Sequence, residues 1–170
     1  LPLQRWSKWR ESMPFPMTLV QLLGDVSGGS QLPKDNFAYA WDQVYAIQAQ
    51  SRQPVAELLP QLPRYQAMIS PEGLAHIASY ADAIGPWRDN LYPYAHGPVA
   101  PWLTEAKQLG LKIHPYTYRA EDAFQPLLPS GKRQTLCQEL LWLFQQPWID
   151  GVFTDQPDIA VQARQGRCQP

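Results

Sequence analysis

This sequence is short of cysteine, methionine, histidine, net charge and long apolar runs. No apolar stretch approaches the roughly 20 residues that a membrane-spanning helix needs. Lys and Arg number 14 against 15 Asp and Glu, a formal net charge of -1, so the basic excess of a nucleic-acid binder is absent. There are two cysteines, Cys137 and Cys168, and their spacing matches no metal motif. Cys137 sits in a leucine-rich helical pattern and reads first as a buried free thiol. The alternative is a pairing with Cys168 in an oxidising compartment. No internal repeat or low-complexity tract occurs, because the 18 prolines and 10 glycines are spread along the chain. The opening Leu1-Pro2-Leu3-Gln4-Arg5-Trp6 lacks a basic stretch followed by an apolar core, so no signal peptide is expected there. It also lacks Met, and we expect a processed or cut piece.

What is present points to one globular domain over residues 1–170, with 45% hydrophobic and 17% charged residues. Its organising stretch is Gly110-Leu111-Lys112-Ile113-His114-Pro115-Tyr116-Thr117-Tyr118-Arg119. The glycine closes a helix, Leu111 and Ile113 alternate with Lys112 as in a strand, and the strand ends in polar and aromatic groups. About thirty residues on, Trp148-Ile149-Asp150-Gly151-Val152-Phe153-Thr154-Asp155 repeats the pattern. Gln156-Pro157-Asp158 then starts a helix, with proline near its first position and an acid in its first turn. Such a rhythm predicts a parallel α/β protein, with chemistry at the carboxyl ends of the strands.

Upstream, residues 2–12 carry Leu3, Trp6 and Trp9 at helical spacing, and Met17 to Leu23 reads as a strand. Gly24 to Pro63 is a long excursion, rich in Phe37, Tyr39, Trp41 and Tyr45, with a short helix expected around Val55 to Leu59. Ser70-Pro71-Glu72 is a capped helix start, and Leu74, Ile77, Ala78 and Ala81 form its apolar face, with His76 off that face. Ala81 to Gly85 reads as a strand and Val99 to Leu109 as a helix. The total is four strand-helix units plus an opening helix. That is about half of an eight-stranded barrel of about 250 residues.

The stretches "GLKIHPYTYR", "DGVFTDQPD", "LVQLL" (Leu19–Leu23) and "YADAIGP" (Tyr80–Pro86) resemble, in order, motifs of bacterial glycerophosphodiester phosphodiesterases. The likeness is greatest to their periplasmic-type branch. It implies the C-terminal half of a TIM (β/α)8 barrel, the 24–63 loop as an insertion, and a periplasmic or secreted location. It also implies hydrolysis of glycerophosphodiesters to an alcohol and glycerol 3-phosphate, with acid and base histidines and a divalent cation, calcium or magnesium. The family's "HRG", Glu-x-Asp, "HD" and "EIK" motifs do not occur here. No catalytic or metal-binding residue is therefore assigned, and this chain alone is expected to be inactive, holding no cation by itself.

The resemblance leaves pocket-wall residues. Tyr116-Thr117-Tyr118-Arg119 stands where the family has "WTVN", which makes Tyr116 the ring expected against the glycerol. Arg119 stands at the asparagine; it is either a phosphate contact or a solvated loop arginine. His114, two residues before Tyr116, faces the same side of its strand, either as a bonded core histidine or as a supporting group. Gln21 shares a strand face with Leu19 and Leu23 and is expected to place an amide in the pocket. Thr154 and Asp155 read as caps of a strand-to-helix turn. The partners expected are a small-molecule substrate and a first half barrel, with no nucleic acid and no membrane span. A second reading is a non-catalytic half barrel that pairs with itself or with a separate first half, since bare strand edges seek partners. An unrelated hydrolase built on His96 or His114 with Asp89 lacks any nucleophile motif.

Overall fold

A computed structural model describes residues 17–26, 50–52 and 64–168. The helix expected within 2–12, the helix around Val55 to Leu59 and most of the 24–63 excursion lie outside the described residues. Three strands, β1 (Val20–Leu23), β2 (Ala83–Pro86) and β3 (Lys112–Ile113), form a parallel sheet in chain order. Among the described residues the helices that pack with this sheet are α1 (Tyr65–Met68), α2 (Pro71–Ala78), α3 (Trp102–Gln108), α4 (Leu136–Leu143) and α5 (Pro157–Arg164). The fold is thus α/β with a parallel sheet, as the alternation of patterns predicts.

Local chemistry explains the boundaries. Ser70 accepts a hydrogen bond from Gly73 N–H at 3.1 Å and Pro71 opens α2, satisfying an otherwise orphaned donor. The strand expected from Ala81 begins at Ala83 instead. The Ala81 N–H still bonds to Ile77 O at 2.8 Å, so that residue finishes the helical exit. Thr135 and Gln138 bond reciprocally to each other's main chain and set the start of α4. Gly110, at φ 81°, supplies the left-handed turn between α3 and β3.

Residues 148–155 run alongside β3 but do not complete a regular strand. Asp150 and Gly151 N–H both bond to Ile113 O, at 3.1 and 3.3 Å, while Asp150 Oδ2 takes the Ile113 N–H at 2.9 Å. Two residues thus face one, as in a bulge, and a carboxylate occupies a ladder position. Beyond it the pairing resumes: Phe153 N–H bonds to Pro115 O at 2.9 Å, and Tyr118 meets Thr154 in a parallel bridge.

One sheet face packs on the helices. Leu23, Ile84 and Ile113 are fully buried with Leu74 and Ile77 of α2, Leu103 and Ala106 of α3, and Leu140 and Leu143 of α4. Each large side chain buried there contributes about 1.5–3 kcal/mol. The other face is partly open: Leu22 is 48% exposed and Phe153 43%.

Cys137 and Cys168 are joined in a disulfide, with their Cα atoms 5.6 Å apart. The buried-thiol reading of Cys137 is thereby corrected. The residue is half-buried on the first turn of α4, which packs beside α5, and so lies within reach of Cys168, four residues past the end of α5.

Candidate functional site at the carboxyl ends of the strands

The strands end in a shelf of polar and aromatic groups. Tyr116 continues β3 beside Trp87, with its N–H bonded to Pro86 O at 3.0 Å and its carbonyl accepting Arg88 N–H at 2.7 Å. Its hydroxyl reaches back to Leu23 O at 3.1 Å, spanning the ends of three strands. Burial, with Tyr65 nearby, pushes the Tyr116 hydroxyl up to about 12. The phenol stays neutral at physiological pH and offers a ring and one donor.

His114 sits lower in the same strand. Its N–H bonds to Ile84 O at 2.9 Å, and its ring lies against Gly151 and 6.3 Å from the Phe153 ring. Glycine makes that packing possible, since a Cβ on Gly151 would stand 3.2 Å from the imidazole. Burial lowers the His114 pKa and outweighs the attraction of Asp150, so the ring favours its neutral form.

Arg119 pairs with Asp155, Nε to Oδ2 at 2.7 Å, and its guanidinium lies 4.9 Å from the Phe124 ring centre. Thr154 Oγ1 donates to Tyr118 O at 2.9 Å and accepts Gln156 N–H at 3.1 Å, so it serves the turn into α5. Gln21 stands apart from these residues. It is in register with Ile84 on the helix-facing side, and its amide oxygen accepts the Tyr80 hydroxyl at 2.8 Å. The structure brings Tyr116 and Arg119 to one turn, sets His114 beneath it, and leaves Gln21 on the opposite face of the sheet.

A buried polar chain behind this turn was not singled out in the sequence. Tyr92 Oη donates to Glu139 Oε1 at 3.1 Å and lies 2.6 Å from Tyr118 Oη, which therefore donates to it. Glu139 Oε2 lies 3.5 Å from Arg88 Nη1, and Arg88 also binds Asp89 Oδ1 at 2.6 Å and Phe124 O at 2.7 Å. Tyr118 and Glu139 are each 1% exposed. Burial raises the Glu139 pKa despite the Arg88 charge, and it lifts both tyrosines well above their ordinary range. An acid four residues into a leucine-rich helix looks solvent-facing in sequence. The one available signal was Arg88, directly after a strand, in want of a partner. Asn90, in the same loop, clamps the chain leaving β1 through Gly24 O at 2.5 Å and Val26 N–H at 3.3 Å.

The chain resembles two curated glycerophosphodiester phosphodiesterases. One, from Arabidopsis thaliana, is 31% identical over 94 residues, 54% of this chain and 24% of that protein. The other, from Treponema pallidum (strain Nichols), is 33% identical over 103 residues, 58% of this chain and 27% of that protein. The matched part spans about a quarter of each relative's length. No family profile matches the chain. Among the described residues no three His, Cys, Asp or Glu side chains converge to hold a metal ion. Asp155 is committed to Arg119, and Asp89 and Glu139 to Arg88. These residues do not fit a divalent cation. No helix among the described residues is long and apolar enough to cross a membrane.

Proposed function

We propose that this chain supplies one wall of the pocket of a glycerophosphodiester phosphodiesterase. In this reading the chain forms the C-terminal half of a TIM barrel in a periplasmic or secreted protein. The observation that carries the reading is Tyr116, an aromatic ring at the carboxyl end of a parallel strand, in a chain of which just over half is similar to two phosphodiesterases. Its ring is placed against the glycerol carbons and Arg119 towards the phosphate. Arg119 would first leave Asp155. That pair is 40% and 45% exposed, so it contributes only about 0–1 kcal/mol and is easily surrendered to a phosphate. His114, neutral beneath the ring, supports the wall. We assign Gln21 to the fold, because its amide is spent on Tyr80. The acid, the base and the ligands of a calcium or magnesium ion belong to other parts of the parent enzyme, so no bond-breaking step is assigned here. The test is a titration of the chain with sn-glycerol 3-phosphate followed by NMR. Shifts centred on Tyr116 and Arg119, weakened at least tenfold by Tyr116→Ala, are expected. Saturating ligand without shifts there would sink the reading. Glycerophosphocholine turnover by the isolated chain with calcium, at the rate of a full-length enzyme, would overturn the claim that catalysis lies elsewhere.

A second reading is favoured by Leu22 and Phe153, two large apolar side chains left 48% and 43% exposed on the sheet. A half barrel of this kind would act as an assembly module, pairing with itself or with a first half. Sedimentation distinguishes the two, since a stable monomer at high concentration counts against self-pairing.

A further inference from the structure

We propose that the buried chain Tyr118–Tyr92–Glu139–Arg88 is a positioning network that fixes the Tyr116–Arg119 turn. The claim rests on reading that turn as pocket wall. Its basis is a closed circuit of contacts. Tyr118 enters the network through its hydroxyl, 2.6 Å from Tyr92. Tyr92 passes to Glu139 and Glu139 to Arg88. The Arg88 backbone N–H then returns to Tyr116 O, two residues before the starting point. The circuit begins and ends on the turn and takes in the loop after β2 and the helix α4. Arg88 has a second arm: its guanidinium holds Phe124 O, and the Phe124 ring faces the Arg119 guanidinium. Arg88 thus bonds the Tyr116 main chain directly and reaches the Arg119 side chain through Phe124.

Plain core packing does not call for this chemistry. A valine or leucine would fill the space behind the turn without the cost of desolvating a carboxylate and an arginine, which their mutual attraction repays only in good geometry. Glu139 Oε2 accepts no hydrogen bond, so the carboxylate is held by charge on one side and by a phenol on the other. Such an arrangement favours one placement of Arg88, and Arg88 sets the carbonyl of Tyr116. None of the four residues is catalytic in this account; they act through Tyr116 and Arg119.

The test uses amide hydrogen exchange and glycerol 3-phosphate titration on the same samples. Tyr118→Phe and Glu139→Ala should raise exchange at Arg88 and Tyr118 at least tenfold, with β1 and α2 amides unchanged. Glu139→Gln keeps an acceptor for Tyr92 but removes the charge facing Arg88, so it should restore protection at Tyr118 and not at Arg88. The same variants should weaken glycerol 3-phosphate several-fold, in the same order. Exchange raised evenly along the chain, or unchanged at the turn in all three variants, would overturn the proposal. If the unaltered chain shows no glycerol 3-phosphate shifts, the pocket-wall reading fails, while the exchange data still decide whether the network positions the turn.

Discussion

Removing the disulfide should cost a large part of the stability of this domain. The bond joins residues 31 apart. In the chain-entropy treatment, cross-linking a loop of that length restricts the unfolded ensemble by about 3.7 kcal/mol at 25 °C. A Cys137→Ser/Cys168→Ser double variant loses that restriction. It gains little elsewhere, because both cysteines are half-buried and serine is nearly the same size. Domains of this size have about 5–15 kcal/mol in all, so the loss takes roughly a quarter or more of it. In melting temperature the change is about 7–14 °C at the slope usual for 150–250 residues. Urea unfolding followed by tryptophan fluorescence measures it, and the chain has seven tryptophans. The oxidised protein should also show a smaller m-value, since its unfolded state is tethered and exposes less surface. A loss below about 1 kcal/mol would refute the reasoning. It would mean that α4 and α5 stay paired in the unfolded chain without the link, or that the bond strains the native state.

Three further outcomes follow from the same structure. Tyr92 and Tyr118 have folded pKa values well above 10, where unfolded tyrosines titrate, so unfolding releases protons and stability should fall as pH rises past about 10; absorbance at alkaline pH should show two tyrosines that ionise only on unfolding. Glu139 also has a raised folded pKa, so its contribution is fully present below the unfolded value near 4.5 and is lost as pH rises through the folded one. Glu139→Gln should flatten the stability profile in that window, and an unchanged profile by pH-dependent denaturation would contradict the assignment. Burial acts to raise the Asp150 pKa, but Lys107 at 2.7 Å and the Ile113 N–H outweigh it and the net shift is downward. Stability from Asp150 is therefore present above about 4 and lost as pH falls. Asp150→Ala should cost about 1–3 kcal/mol by stranding the Ile113 N–H, and chemical denaturation would show a cost near zero if water replaces the carboxylate.

The local signals in the sequence were strong where one residue decides the backbone. Ser70 with Pro71, Gly110 at its left-handed turn and Pro157 at the head of α5 all act on the main chain within a few residues of themselves, so the neighbouring residues suffice to read them. The parallel α/β class was legible for the same reason, because the alternation of strand and helix periods is local. What escaped depends on partners far along the chain. Glu139 is buried only because Tyr92, 47 residues away, brings a donor to it. Gln21 shares its face with Leu19 and Leu23 as expected, but that face is the one covered by helices, and only Tyr80 reveals it. The strand expected over 148–155 is interrupted because the Asp150 carboxylate competes for a ladder donor, a choice its sequence neighbours do not record. Pairing of Cys137 with Cys168 requires α4 and α5 to lie side by side, which is a statement about packing.

The covalent link has a mechanical meaning as well. Force pulling on the chain beyond Cys168 does not travel through α5. It passes across the sulfur atoms into the first turn of α4, so residues between the two cysteines carry no tension while the bond stands. A protease that cuts inside that span leaves both pieces attached, and the cut stays invisible to size measurements until a reductant is added.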